Sequence, residues 1–185
     1  MSTTRNLIAA TTLLCACLAP AARADSGVYI GGGIGASQID DKAGTPAGTS
    51  FSASDFAYKG FLGYYFDAIP LLRLAGEVGY RDLGEPEDTS AGVASSYRMK
   101  GLDYSVLAGV GLGPVDLFAR AGGMSYDLTK THAGVGRDFH GTAPLVGAGV
   151  WFSVFGIGVR AEYEYIDVDE LDGAQMVSVS AFYKF

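Results

Sequence analysis

The residues able to do chemistry are few. Both histidines, His132 and His140, fall in one stretch with Ser125, Asp127 and Asp138. A hydroxyl, an imidazole and a carboxylate are the parts of a nucleophilic site: the imidazole takes the hydroxyl proton and the carboxylate orients the ring. Neither histidine sits in a recognisable motif, and His140 runs straight into Gly141-Thr142, so a solvated loop histidine is the stronger reading. Acidic groups cluster at Asp40-Asp41, at Glu85, Glu87 and Asp88, and at Asp167, Asp169, Glu170 and Asp172. Such clusters either hold divalent cations or form a solvated acidic rim, and the rim is the simpler reading. The stretch Asp167–Gly173 approaches a calcium loop, but its third Asp comes one place late and no Glu follows at the required distance. No metal site is assigned. The runs Gly31-Gly32-Gly33 and Gly109–Gly113 lack the Lys-Ser/Thr and the helix of a phosphate-cradling loop. No cofactor and no enzymatic activity are expected.

A second set of charged residues is more orderly. It comprises Lys59, Arg73, Glu77, Arg81, Asp103, Asp116, Arg120, Arg160, Glu162, Glu164 and Lys184. Each alternates with apolar neighbours at period 2, so these charges share one face of extended strands. Eight such strands are predicted: Val28–Ser37, Asp55–Phe66, Leu72–Asp82, Arg98–Leu112, Val115–Tyr126, Gly141–Phe152, Ile157–Ile166 and Gln175–Phe185. In the seventh, for example, Ile157, Val159, Ala161, Tyr163 and Tyr165 oppose Arg160, Glu162 and Glu164. The chain has 27 glycines among 185 residues, about twice the usual share, and few prolines, which argues against helices and collagen.

The first 24 residues read as a secretory signal, with Arg5 as the positive region, the short apolar stretch Leu7–Leu18 and a small-x-small site at Ala22-Arg23-Ala24. Processing there leaves residues 25–185 as one domain. Leu14-Cys15-Ala16-Cys17 also resembles a lipoprotein box that would leave a lipidated Cys17; the downstream site fits better. Both cysteines lie in this leader, so the exported part has no disulfide, thiolate metal site or cysteine nucleophile. Without Arg5 and Arg23 the balance is 11 basic against 20 acidic residues, a net charge of −9, which disfavours nucleic acid as a partner.

Alternation does not say which face is inside, since a soluble barrel has the same pattern. Connection lengths break the tie. The links Asp67–Leu71, Gly113–Pro114 and Ser153–Gly156 are short, while Gln38–Ser54, Leu83–Tyr97, Asp127–His140 and Asp167–Ala174 are longer. Short turns at one end and long loops at the other are the pattern of a membrane barrel. The apolar face also ends in aromatics: Tyr64, Phe66, Phe152, Tyr183 and Phe185 at the turn end, and Phe56, Tyr58, Tyr80 and Tyr165 towards the loop end. These are positioned to form the two interfacial girdles. A lipid-facing Lys or Arg at mid-membrane costs about 2–4 kcal/mol, so the charged face must line the lumen, and the near balance of signs implies ion pairs. The expected fold is all-β: an eight-stranded antiparallel up-and-down transmembrane β-barrel.

Several stretches carry a family likeness. They are Gly27-Val28-Tyr29-Ile30-Gly31, Ala57-Tyr58-Lys59-Gly60-Phe61-Leu62-Gly63-Tyr64, Gly76-Glu77-Val78-Gly79-Tyr80, Leu117-Phe118-Ala119-Arg120-Ala121-Gly122, Gly147-Ala148-Gly149-Val150 and Arg160-Ala161-Glu162-Tyr163. Over residues 27–185 the chain resembles the small eight-stranded outer-membrane barrels of Gram-negative bacteria, the group that includes the membrane domain of outer-membrane protein A and the opacity-type surface proteins. The resemblance implies a location in the outer membrane and a lumenal acid–base network, carried over here to Glu77, Arg120, Arg160 and Glu162. It also implies that Tyr183-Lys184-Phe185 is a C-terminal aromatic signal for the barrel-assembly machinery. Other implied partners are outer-membrane lipid, lipopolysaccharide and a host or surface ligand at the loops. The implied role is non-enzymatic: envelope stability and presentation of loops for adhesion or contact. A narrow gated channel is the alternative, and a lipid A-modifying barrel enzyme a remote one. The peptidoglycan-binding domain that follows the barrel in outer-membrane protein A has no counterpart after the last strand, so that role is not transferred.

Overall fold

The computed structural model describes residues 26–41, 51–69, 72–90, 93–132, 135–169 and 171–185; the side chains at 41, 51–53, 67–69, 88–90, 93, 94, 132 and 135 fall outside that description. The leader with Cys15 and Cys17, Glu170, and the side chains of Asp41, Asp88 and His132 therefore lie outside it.

Among the described residues there are nine strands: β1 (Gly27–Asp41), β2 (Phe51–Ile69), β3 (Leu72–Asp82), β4 (Glu87–Ser90), β5 (Val93–Leu112), β6 (Val115–His132), β7 (Val135–Val154), β8 (Ile157–Ile166) and β9 (Gly173–Lys184). All pair antiparallel. β3 and β4 both pair with β5, so they are two pieces of one stave. β1 pairs with β9, which closes eight staves into a barrel with no free edge.

Sequence and structure differ at the loop end. The Asp127–His140 link was expected as a loop, but β6 and β7 run through it and leave only residues 133–134 between them. β5 likewise begins at Val93 rather than Arg98. The cause is continued alternation: Tyr97, Met99, Met124, Tyr126 and Leu128 point inward and are buried, while their outward neighbours are polar. Polarity on one face alone does not end a strand.

The outward surface fixes the depth of the chain in a bilayer. Along β5, Leu102, Tyr104, Val106, Val110 and Leu112 are all exposed. Those ten residue steps at ~3.3 Å, tilted by ~40°, span about 25 Å, the height of a membrane barrel's apolar band. Directly above this band runs the cross-strand row Tyr58–Asp82–Lys100–Asp127–His140. Higher still, the outward side chains include Arg98, Thr129 and Asp138. β6 continues five residues past Asp127, so the β5–β6–β7 ribbon stands roughly 17 Å farther along the strand.

At the other end the turns are tight. β7 and β8 are joined by Phe155-Gly156, with φ of 53° and 80°. Two positive φ values suit a two-residue hairpin, although Asn rather than Phe is the usual first residue.

Inside, rings occupy the room that glycines leave. A Cβ on Gly63 would lie 2.3 Å from the Tyr29 ring, and one on Gly31 would lie 2.4 Å from the Phe61 ring. Gly63→Val should therefore displace Tyr29 and destabilise the barrel by about 1–3 kcal/mol through overpacking. Gly76 has nothing within 4 Å of its Cβ position, so Gly76→Val should not destabilise the barrel and should gain slightly through β-propensity. Urea midpoints of the two variants in detergent, with heat-sensitive gel mobility as the readout of folding, check the contrast.

Candidate functional site

The lumen is filled in three layers. Towards the turn end, Tyr29, Phe61, Tyr65, Phe118, Trp151 and Phe182 form an aromatic layer with Ala75 and Leu107. Trp151 centres it, 5.1 Å from the Phe182 ring, 5.5 Å from Tyr65 and 5.8 Å from Tyr29. Towards the loop end lies an apolar layer that includes Ile39, Leu83, Met99, Met124, Leu128, Leu145, Ile166 and Met176. Val168 and Leu171, from the link between β8 and β9, fold into it. The links above are tied down by backbone: Leu83 N–H donates to Met99 at 2.9 Å and Asp172 N–H to Asp40 at 2.9 Å.

Charges occupy the middle layer. β2 supplies Lys59, β3 supplies Glu77 and Arg81, β5 supplies Asp103, β6 supplies Arg120, and β8 supplies Arg160, Glu162 and Glu164. All eight are buried. Arg120 is the hub: its guanidinium lies 2.7 Å from Glu164, 2.9 Å from Glu77, 3.1 Å from Asp103 and 3.4 Å from Glu162. Its Nε also donates to Ser105 Oγ at 2.9 Å. Arg81 bridges Asp103 and Glu164, both at 3.0 Å. Arg160 reaches Glu77 at 2.5 Å and Glu162 at 3.0 Å. Lys59 Nζ contacts Glu162 and lies 2.7 Å from Glu164. Four cations thus meet four carboxylates, mostly across the lumen rather than between neighbouring strands. The strands β1, β7 and β9 contribute Gly and Ser at this level, which leaves room for the long side chains.

Two contacts weld the charged layer to the aromatic one. Tyr29 Oη donates to Glu77 at 2.6 Å. The Arg160 guanidinium lies 4.2 Å from the Phe61 ring centroid, a cation–π contact.

The remaining charges of the inward face lie apart. Arg73 and Asp116 pair at 3.5 Å near the turn end, and Lys184 Nζ lies 4.2 Å over the Tyr65 ring. Of the aromatics assigned to the girdles, Phe56, Tyr58, Tyr64, Phe66, Tyr80, Phe152, Tyr183 and Phe185 are exposed on the outer wall. Tyr165 is half-buried, lies against Gly173 and donates to the Asp172 carbonyl at 3.2 Å. Sequence reasoning missed the inward rings of Tyr29, Phe61, Phe118 and Phe182. The signal for them was a ring on the charged face with glycines on the adjoining strand.

Outside the barrel, register joins residues that are distant in sequence. Asp127 and His140 are cross-strand partners, with His140 Nδ1 2.5 Å from the carboxylate. Ser125 and Thr142 sit one step below, their hydroxyls 3.5 Å apart. The acid–imidazole pair is thus formed on the outer wall, while the hydroxyl nearest in register contacts another hydroxyl. Among the described residues no group of three or more acidic or imidazole side chains is placed to hold a metal.

A family model described as the outer membrane protein beta-barrel domain matches residues 7–185. Among solved structures, the chain is similar to neisserial surface protein A (15% identity, TM-score 0.64, covering 88% of this chain and 100% of that one). It is also similar to Ail, the attachment invasion locus protein of Yersinia pestis (16% identity, TM-score 0.53, 86% and 99%). A third likeness is to the N-terminal β-barrel domain of Pseudomonas aeruginosa OprF (15% identity, TM-score 0.53, 86% and 98%). At such identities the likeness is one of fold. No curated protein matches the sequence.

Loss of one partner from a buried ion network strands the others, at a cost of about 3–5 kcal/mol. Glu164→Gln should therefore lower the urea midpoint of the folded barrel sharply. Adding Arg81→Gln should recover part of the loss, because one cation then no longer needs that carboxylate. A double-mutant cycle measures the coupling, and strictly additive losses would show that the two side chains act independently.

Proposed function

The chain belongs to the outer membrane protein beta-barrel domain family, and from that premise we propose that it is a non-conducting, non-enzymatic outer-membrane barrel whose working surface is its extracellular end. The observation that carries this reading is the filled lumen. Aromatic, charged and apolar layers succeed one another along the axis, and each charged side chain of the middle layer is engaged by a partner of opposite charge, mostly from a non-adjacent stave. An ion would have to break several of these pairs to pass. The lumenal network of Lys59, Glu77, Arg81, Asp103, Arg120, Arg160, Glu162 and Glu164 is therefore a structural plug in this proposal, with Arg73 and Asp116 pairing nearer its periplasmic mouth.

With the interior closed, surface contact falls to the β5–β6–β7 ribbon and the neighbouring loop-end residues. Their inward face is apolar and packed, which holds the ribbon as a shaped platform. The loop-end residues around the ribbon are predominantly acidic, with Asp40, Glu85, Glu87, Asp167, Asp169 and Asp172 among the described residues, while the ribbon's own outward face carries Arg98 and Lys100 beside Asp127 and Asp138. This rim favours a host or environmental surface that is cationic or neutral, or one reached through divalent cations. Ail has been solved in complex with the heparin analogue sucrose octasulfate; repulsion by the acidic rim works against such a polyanion here. At the opposite end, Tyr183 and Phe185, with rings 5.0 Å apart, are the proposed signal for the barrel-assembly machinery.

Planar-bilayer recording of the folded mature chain should show no steady current. A large, stable current, changed by neutralising Glu77 or Arg120, would replace this reading with the gated channel. Sucrose octasulfate should give no saturable binding to the same preparation by calorimetry.

A further inference from the structure

Most strand glycines that face the lumen are accounted for by a ring or backbone lying against them. Gly60 and Gly76 are not. Both face outward on the apolar band, and a Cβ would find only the Gly31 carbonyl at 4.0 Å beside Gly60 and nothing within 4 Å at Gly76. They leave dents in the lipid-facing wall, and the dents are connected. A compartment of about 530 Å3 over Gly76 shares Leu62, Val78 and Tyr104 with one of about 800 Å3 over Gly60. That one shares Tyr80, Leu102 and Ser125 with a third, of about 730 Å3, which ends against Lys100, Asp127, His140 and Thr142. The result is one groove down the outer wall of β2, β3, β5 and β6, apolar over most of its length. It becomes polar where the outward surface crosses from apolar band to charged row.

The charges at its upper end are arranged for an anion. Asp82 is engaged by Tyr58 Oη at 3.3 Å and by Arg98 at 3.6 Å. Asp127 is engaged by His140 Nδ1 at 2.5 Å. Both carboxylates beside Lys100 are thus turned to other donors, which leaves the ammonium for an external partner. The Ser125, Thr142 and Tyr80 hydroxyls add neutral donors around it.

We propose that this groove holds one phosphorylated lipid of the outer leaflet. Its headgroup phosphate lies against Lys100, beside His140 and the Ser125–Thr142 hydroxyls, and an acyl chain runs down over Gly60 and Gly76. The match is one of both charge and depth: cation and donors lie at headgroup level, and a side-chain-free channel lies at acyl level directly below. The inference shares with the proposed function only the placement of the loop end at the outer leaflet. It does not require a closed lumen, so a conducting barrel would leave it standing.

The test is native mass spectrometry of the folded mature chain in mild detergent, titrated with lipid A as the phosphorylated probe and with its dephosphorylated form. One lipid A should bind saturably, and removal of the phosphates should weaken it about tenfold. Lys100→Gln should weaken lipid A by a similar factor and leave the dephosphorylated form unchanged. Gly76→Leu, which fills the groove where there is room for it, should weaken both forms while heat-sensitive gel mobility stays normal; Gly60→Val is the second groove-filling variant. Equal retention of the two lipids, indifference to Lys100→Gln, or binding that never saturates would each overturn the proposal.

Discussion

The barrel is organised around Arg120, a guanidinium in contact with four carboxylates drawn from three staves. A charge at that depth has no water to fall back on, so it is tolerable only if its partners are fixed. Fixing them sets requirements elsewhere. The acids must come from opposite sides of the lumen, which selects Glu77 and Asp103 on one side and Glu162 and Glu164 on the other. The carboxylates then need further cations, and Lys59, Arg81 and Arg160 supply them. Strands that bring no charge to this level must bring almost no side chain, which is why β1 and β7 present glycine there.

The layers on either side follow from the same constraint. Water reaching the charged layer would weaken each attraction by raising the local dielectric. The aromatic layer around Trp151 closes one route and the apolar layer around Met99, Met124 and Leu128 closes the other. The contacts of Tyr29 with Glu77 and of Arg160 with Phe61 make the lower seal part of the network rather than a separate lid. A molecule built in this way has spent its interior on cohesion, and the contacts proposed for it lie on its outer surfaces.

Face assignment was legible in the sequence because period-2 alternation is local: Arg160, Glu162 and Glu164 declare a common side without reference to any other strand. Partner choice was not legible. Whether Arg81 meets Asp103 or Glu162 depends on the stagger between staves, and stagger comes from the register of every hairpin together. Strand ends were misread for a related reason. Beyond Tyr126 the outward residues turn polar, which resembles a loop, yet Leu128 and Phe139 continue inward and keep the pairing alive. The Asp127–His140 pair shows the same limit, since a separation of 13 residues says nothing until the register makes them direct neighbours.

Strand glycines divide into two physical kinds, and the division separates cohesion from recognition. A glycine such as Gly63 is the socket of a ring, and its missing side chain is replaced by Tyr29. Its small size serves the fold. Gly76 has no such occupant, although an outward strand position on an apolar band would gain β-propensity and buried area from any Val or Ile. Packing within the chain gives no reason to forgo that gain. The space becomes reasonable only if something outside the chain fills it. The one medium that reaches this wall is lipid, and the one place along the groove where the wall changes character is the charged row with Lys100 at its centre. An occupant that is apolar below and anionic above satisfies both observations at once, whereas bulk acyl chains would satisfy only the first.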